Sequence, residues 1–400
     1  MRRGHQALAL AIGFVFVVAA CGSGDDTDAS GGGASGSDAD TVTIGMVASL
    51  SGNLAIYGVT LRDAAQMAVE EINDAGGIDV AGKNYTLDLQ VRDDRSEQAG
   101  AVQAATELIT DAGAIAIWGP IGASGPGVAE VAKQGNVLNF QSSSAVINMA
   151  GPPDYPLMFM TLPTTARITS SVNAIREFVP DAEKLALVAP DDQVAAQNAP
   201  GFTEAFDEAG MTLDTYLYPV GTTDLSSLLT RLEDDNPDVI VSGFTTAAND
   251  LHVAQFDAAG VSEDLPVLLF PEGISRCESL LPGRPCIAQP VLGADLTSPA
   301  ASAETKAFVT KFLDFIGEDE LPVGISQVSP SYDFIHHFAA ALSEAGTVTD
   351  VEKIADTLRS GLTTDGLPGE IAYDEDNHVT FGLEVSYVAT DGNVTTKQFH

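Results

Sequence analysis

From Thr41 onward, short runs with the two-residue period of strands take turns with longer runs in which apolar residues recur every three or four positions. "TVTIGMVA" reads as a first strand, and "TLRDAAQMAVEEIN" as a helix with Leu61, Ala64, Ala68 and Ile72 on one face. Thr60 and Asp63 have the spacing of a capping box at its start. "YTLDLQVRD" alternates like a strand, and Ser96 is placed to open a helix over "EQAGAVQAATELIT". "AIAIWG" is a buried strand, "PGVAEVAKQ" a helix begun by Pro126, and "VLNF" another strand. By about residue 140 the order is β-α-β-α-β-α-β, which predicts a parallel sheet flanked by helices.

A second series of the same kind follows. It runs through a helix over 165–178, "KLALVA", a helix over 201–209, "TLDTYLY", a helix over 224–234, "DVIVSGF", a helix over 249–259 and "PVLLF". Pro237 and Pro266 punctuate it. Further helical stretches lie near 303–316, 331–345 and 350–360, and "EIAYDEDNHVTFGLEVSYVATDG" reads as strands with turns. The predicted fold class is therefore α/β, with two doubly wound parallel-sheet lobes. Ligands of such sheets sit beyond the carboxyl ends of the strands, so a site between two lobes is the natural expectation.

The segment before Thr41 has a different character. Arg2 and Arg3 precede an apolar run from Ala7 to Ala20, the basic and hydrophobic regions of a secretory signal over residues 1–20. Val18-Ala19-Ala20-Cys21 resembles the bacterial lipobox, in which the cysteine sulfur takes a diacylglycerol and becomes the new N-terminus. Lipidation at Cys21 would anchor the chain durably, since each buried methylene adds about 0.8 kcal/mol. "GSGDDTDASGGGASGSDAD", residues 22–40, is too polar and glycine-rich to fold alone and would act as a tether of roughly 25 Å. The expected location is the extracytoplasmic face of the cell membrane, held there by the lipid only.

Composition narrows the function. The chain has 400 residues, 45% of them apolar, and a net charge of −38. A chain so acidic has no basic patch to neutralise phosphates, which argues against nucleic acid and for a well-solvated surface. Of the three cysteines, Cys277 and Cys286 bracket the Pro/Gly loop "CESLLPGRPC". In an oxidising compartment they read as a local disulfide worth roughly 2–3 kcal/mol, with two free thiols as the alternative. Zinc is disfavoured because no second pair of ligands stands nearby.

Catalytic motifs are weak. "GASGP" has Pro126 where a nucleophile elbow needs glycine. His336 and His337 are adjacent on a helix, point apart, and are expected to be one half-buried and one solvated. "DEDNH" lacks the glycine and final glutamate of a calcium loop. Asp93-Asp94 and Asp191-Asp192 fit turns and caps better than an acid–base pair. Neither an enzyme, nor a metal, nor a cofactor is expected.

"SLSGNLAIYGVTLRDAAQMAVEEINDAGGI", "VRDDRSEQAGAVQAATELI", "WGPIGASGPGVAEVAKQGNVLNFQSSS", "DVIVSGF", "FPEG" and "LPGEIAYDEDNHVTFGLEVSYVATDG" occur in this order. Together they resemble the type I solute-binding proteins of ABC importers, in particular the leucine/isoleucine/valine-binding group. The resemblance covers nearly all of residues 41–395. It implies two lobes joined by a three-crossover hinge, with crossovers near Leu162, Gly293 and Ile371. Lobe 1 would be 41–162 plus 294–370, and lobe 2 would be 163–293 plus 371–400.

The resemblance also implies a site. Ser124 and the loop of Ser142, Ser143 and Ser144 would hold the carboxylate of an amino-acid-like ligand. Independently of the family, Ser124 stands just before a Pro-started helix, where unpaired N–H groups and the dipole favour an anion. Glu272 would pair with the ligand's ammonium, and Tyr57, Phe244 and Thr245 would line the cleft. One departure stands out: where the family carries Tyr-Gly, this chain has "DDQVAAQN", with Val194 near that place. That alters the second wall and widens the expected ligands from branched-chain amino acids to amides and urea-like solutes. The implied partners are a permease and ATPase subunits on other chains, with the binding protein itself a monomer. The alternative is a ligand-sensing lipoprotein that serves a separate signalling receptor.

Overall fold

The computed structural model describes residues 40–142, 149–161, 164–270, 272–289, 303–323, 325–367, 369–380 and 383–399. Cys21 with its signal and tether, Ser143, Ser144, Leu162 and Gly293 lie outside them.

In chain order the elements begin with β1 (Asp40–Ala48), α1 (Ala55–Asp74), β2 (Ile78–Val80), β3 (Lys83–Asp93), α2 (Gln98–Thr110), β4 (Ala116–Ile121), α3 (Gly125–Gly135), β5 (Leu138–Ser142) and β6 (Met158–Met160). The second series is α4 (Thr164–Phe178), β7 (Lys184–Asp191), α5 (Gln193–Glu208), β8 (Thr212–Pro219), α6 (Ser226–Asp234), β9 (Val239–Gly243), α7 (Thr246–Ala259), β10 (Val267–Phe270), α8 (Ile274–Leu280) and β11 (Cys286–Ala288). The chain closes with α9 (Ala303–Ile316), α10 (Ile325–Ala345), α11 (Val351–Arg359), β12 (Thr364–Gly366), β13 (Gly369–Tyr373), β14 (Val379–Thr380), β15 (Leu383–Val388) and β16 (Val394–Phe399).

Two parallel-dominated sheets result. The first has the order β2-β3-β1-β4-β5-β6, parallel except for the β2–β3 hairpin. The second has the order β16-β15-β11-β10-β9-β7-β8, parallel from β8 to β11 and antiparallel across β15 and β16. A small antiparallel sheet, β12-β13-β14, falls in sequence between β11 and β15 of the second sheet. Ile371, Tyr373 and Val379 of this small sheet pack into the core of the first sheet, and the chain rejoins the second sheet in β15.

The buried runs of the sequence explain the layers. β7, β9 and β10 are apolar almost throughout because helices cover both faces of their sheet. One face carries Phe202, Phe206, Phe244 and Phe270; the other carries Tyr216, Leu229, Phe256 and Val267. In the first sheet, Phe140 packs against Phe159, Phe334 and Phe338 under α10 and α11. α11 earns its place by pattern alone: Val351, Ile354, Ala355 and Leu358 fall on one buried stripe.

Several local expectations change. α1 starts at Ala55, five residues before Thr60, so Thr60 lies inside the helix and donates to the Ile56 carbonyl (2.6 Å) instead of capping. Ser96 does not cap α2, whose N-cap is Glu97; its hydroxyl serves the neighbouring loop. α5 begins at Gln193, eight residues before the predicted 201, because the Asp192 carboxylate accepts from the Ala195 N–H (2.9 Å), and Pro200 is accommodated within the helix. His336 is half-buried against Tyr332 and His337 is buried against Thr364 and Tyr373, so neither is fully solvated. Among the described residues, no helix is long and apolar enough to cross a membrane.

Candidate functional site

The carboxyl ends of the first sheet form a rim of hydroxyls and backbone amides. After β1, the N–H groups of Leu50 and Ser51 donate to Asp93 Oδ1 (2.9 and 3.2 Å), and Ser51 Oγ donates to Oδ2 (2.7 Å). Arg95 N–H adds a further bond to Oδ1 (2.8 Å). Burial alone would push the Asp93 carboxyl up, but hydrogen bonds from Ser51, Arg95 and Leu50 hold it below its ordinary range. Ser96 Oγ donates to the Ser51 carbonyl (2.8 Å) and accepts from Leu54 N–H (3.1 Å). The β1–α1 and β3–α2 loops are thus one rigid unit.

Close approach of α1 to β1 depends on Gly58, where a Cβ would come within 2.1 Å of the Ser49 carbonyl oxygen. That contact sets Tyr57 in the first turn of α1, with 38% of its surface exposed. Ser124 ends a 3-10 turn (Gly122–Ser124) and is the N-cap of α3; it is buried, and its hydroxyl makes no cap bond. Ser142 lies beside it in the sheet, paired in register with Ile121. Its hydroxyl is engaged with Thr161 Oγ1. Beneath both serines, Gln141 Nε2 donates to the Gly125 carbonyl (3.1 Å) and to Asn139 Oδ1 (2.6 Å), tying α3 to β5.

The rim of the second sheet is built from charged and aromatic groups. Phe244, directly after β9, has φ +84°, a left-handed conformation that costs a non-glycine residue about 1–3 kcal/mol. Its ring packs edge-on against Phe202 and Phe270 (5.5 and 5.9 Å between centroids). Thr245 caps α7 by accepting from Ala248 N–H (3.2 Å), so its hydroxyl already has a structural task. Glu272 follows β10, is only 6% exposed, and accepts from Asn249 Nδ2 at Oε1 (3.2 Å). Its Oε2 lies 3.4 Å from Arg276 Nε, and Arg276 also pairs with Asp250.

Asn249 is itself the end of a buried chain. Its Oδ1 accepts from Ser242 Oγ (2.8 Å), whose oxygen contacts His252 Nδ1 (2.9 Å), whose Nε2 contacts Tyr218 Oη (2.8 Å). With the Ser242 proton committed to Asn249, His252 must donate from Nδ1 and accept from Tyr218 at Nε2. That is a neutral imidazole, in keeping with burial, which drives the His252 pKa down to about 3. Burial likewise pushes Tyr218 up to about 12, so it keeps its proton. The chain fixes which way the Asn249 amide faces, and so which end meets Glu272.

Arg167 completes this rim. It is 8% exposed, and its guanidinium stacks 4.2 Å from the Phe270 ring centroid. Its carbonyl accepts from Gln289 Nε2 (2.6 Å) and Ser171 Oγ (3.0 Å). Burial holds its pKa down at about 9, so it stays a cation at neutral pH.

The structure therefore brings the sequence-predicted residues together in two groups. Tyr57, Ser124 and Ser142 belong to the first rim, and Phe244, Thr245 and Glu272 to the second. Val194 lies half-buried in the first turn of α5 and packs against the second sheet's core. Cys277 and Cys286 are joined by a disulfide with a Cα–Cα distance of 5.8 Å, tying α8 to β11 behind the rim. Among the described residues, no three His, Cys, Asp or Glu side chains converge as metal ligands.

Sequence reasoning passed over Asn249, Ser242, His252, Tyr218 and Arg167. A signal existed for two of them: Asn249, His252 and Phe256 recur at helical spacing on the buried face of α7, where polar residues need a reason. Nothing in the sequence marked Arg167. A cavity of about 270 Å³ also lies between α3 and residues 153–158, lined by Lys133, Asn139 and Tyr155 among others. It opens at the amino-terminal ends of β5 and β6, the wrong end of a parallel sheet for ligand.

Comparisons with known proteins bear on the family and the fold. The family model described as periplasmic binding protein matches residues 41–393. The Leu/Ile/Val-binding protein BraC3 of Rhizobium johnstonii is 26% identical over 355 residues, covering 85% of this chain and 89% of that protein. The fold is similar to the substrate-binding protein LivJ of a Streptococcus pneumoniae branched-chain amino acid transporter, solved with isoleucine (TM-score 0.63, 23% identity, 90% of this chain and 99% of that one). It is equally similar to an ABC-transporter solute-binding protein of R. palustris solved with 4-hydroxybenzoate (TM-score 0.66, 20% identity, 90% and 96%).

Proposed function

The chain belongs to the periplasmic binding protein family, and we propose that it captures a small amino-acid-like solute between its two sheets and hands it to a membrane permease. The two sheets, on this reading, are the cores of the two lobes. The reading is supported by two unlike rims, each at the carboxyl end of its sheet. One offers the uncommitted hydroxyl of Ser124 and the first N–H groups of α3; the other offers a buried carboxylate on Glu272. A zwitterion has matching ends. Its carboxylate would take the α3 N-terminus, where the dipole and orphan amides favour an anion, and its ammonium would take Glu272.

Glu272 retains capacity for that ammonium. A carboxylate has about four lone-pair sites; Asn249 occupies one by a hydrogen bond, and Arg276 lies alongside as an ion-pair contact. Tyr57 and Phe244 would enclose the ligand's apolar part. Closure of the lobes over the ligand would be favoured because only the closed form makes both sets of contacts. Periplasmic binding proteins bind their solute and leave its chemistry to others, and they work outside the cytoplasm. A lipid at Cys21 would keep this one at the membrane, close to its permease.

The test is a thermal-shift screen of amino acids, amides, ureas and small carboxylic acids. A ligand at 100 times its Kd should stabilise the protein by about 2.7 kcal/mol. Absence of any shift across the whole panel would overturn the proposal.

A further inference from the structure

Two arginines are almost fully buried in the second half of the molecule, and they are treated very differently. Arg284, 6% exposed, is satisfied by its own protein: Nη1 donates to the Ser262 carbonyl (2.6 Å), and Nη2 to the Val261 carbonyl (2.9 Å) and Asp257 (2.7 Å). Arg167, 8% exposed, has none of this. Among the described residues, no carboxylate pairs with it, and its Nε is sealed from solvent with no hydrogen-bond partner. Among the described residues, the face of Phe270 is what supports its charge.

An unpaired buried charge is costly and persists where something compensates it. The position of Arg167 indicates what that is. Phe270 is the last residue of β10, two before Glu272, and Gln289, which grips the Arg167 carbonyl, immediately follows β11. The guanidinium therefore lies at the carboxyl rim of the second sheet, on the ligand side. Arg276 is already shared between Glu272 and Asp250, which leaves Arg167 as the rim's uncommitted cation.

We propose that Arg167 receives a carboxylate of the bound solute, and that the solute is an amino acid with a second carboxylate in its side chain. This rests on the site proposed above. The α-carboxylate meets the α3 N-terminus and the ammonium meets Glu272. The side-chain carboxylate meets the fork of Arg167, whose planar donors suit a two-pronged contact. The solute then brings the carboxylate that Arg167 lacks among the described residues. A purely aliphatic side chain would leave the guanidinium unpaired in a closed, water-poor cleft, so the site discriminates against leucine.

Calorimetric titration of the intact chain with L-glutamate, L-aspartate and L-leucine at pH 7 tests this. One of the dicarboxylic amino acids should bind more tightly than leucine. Arg167→Gln should weaken that acid by about 100-fold and change leucine by no more than about 3-fold. Arg167→Lys should restore part of the loss. Because no carboxylate among the described residues pairs with Arg167, Arg167→Gln should unfold in the ligand-free state at or above the wild-type temperature. Leucine binding tightest, a dicarboxylic acid indifferent to Arg167→Gln, or a lowered ligand-free midpoint in that variant would each overturn the assignment. Glu272→Ala separates the two proposals. If it leaves all amino-acid binding intact, the site itself is misplaced; if it abolishes binding while Arg167→Gln does nothing, only the role of Arg167 fails.

Discussion

The two rims solve the problem of holding a small ion in opposite ways. The first-sheet rim is almost free of committed charge at its centre: Ser124, Ser142 and the start of α3 present hydroxyls and N–H groups, and the Asp93 carboxylate is spent on binding its own loops. The second-sheet rim buries charge: Glu272 and Arg167 are 6% and 8% exposed, and the half-buried Arg276 lies beside Glu272. Fixed amide dipoles need no counter-ion when the site is empty. Buried ionic groups need partners, and this rim gives Glu272 a hydrogen bond from Asn249, held in place by the neutral chain that runs back to Tyr218. The difference teaches that an acidic protein with 18 basic residues can grip an anion cheaply at a helix end. It must invest in buried scaffolding to grip a cation.

The strongest way to break the contrast is to remove the charged side. Glu272→Ala should weaken an amino-acid ligand by about 2–5 kcal/mol, measured by calorimetry, because it strands an ammonium in a closed site. Ser124→Ala should cost less, about 0.5–1.5 kcal/mol, since backbone amides remain to hold the carboxylate. Equal losses for the two variants would erase the distinction between the rims.

Support behind the second rim comes next. Reduction of the Cys277–Cys286 disulfide frees α8 from β11 and should lower stability by roughly 2–3 kcal/mol, read as a fall in the urea midpoint. The first sheet has no such staple among its described residues, so a reducing agent should loosen exchange-protected amides of the second sheet before those of the first.

Proton linkage sharpens the comparison further. The unfolded chain protonates His252 below about 6.5, whereas the folded protein resists protonation until about 3. More protons on the unfolded side mean that stability falls as pH drops from about 6.5 toward 3 and is fully present above that window. His337, buried on α10 beside Thr364 and held down to about 4 by burial, has the same sign. Asp333 has the opposite sign: burial raises it to about 7, so its contribution is full below the ordinary carboxylate range and is lost as pH rises toward 7. A His252→Gln variant should therefore lose less stability than wild type between pH 6.5 and 4 in urea melts. Parallel curves would show that His252 titrates normally.

The smallest effect tests the buried chain itself. Tyr218→Phe removes one hydrogen bond to His252 Nε2 and leaves the packing, and should weaken ligand binding by about 0.5–1.5 kcal/mol through the Asn249 amide. Unchanged binding together with lowered stability would reduce the chain to a structural feature.

The alternation of periods in the sequence determined the α/β class, the two series and most helices and strands, because buried parallel strands and one-faced helices leave unmistakable apolar runs such as "DVIVSGF" and the stripe of α11. It also determined the placement of Ser124 and Glu272 at strand ends, since both follow directly from the runs before them. It did not determine where α1 and α5 begin. Those starts depend on the docking of Gly58 against Ser49 and on the Asp192 cap, and each outweighed the local pattern. Nor did it determine that Arg167, Phe270 and Gln289 meet, or that Tyr218 and His252 stand behind Asn249. Those residues come from separate strands and helices up to 122 positions apart, and only the packing of sheet against helix makes them neighbours. Period and propensity act over a few residues, whereas the partner of a buried charge is chosen by whatever the fold carries to it.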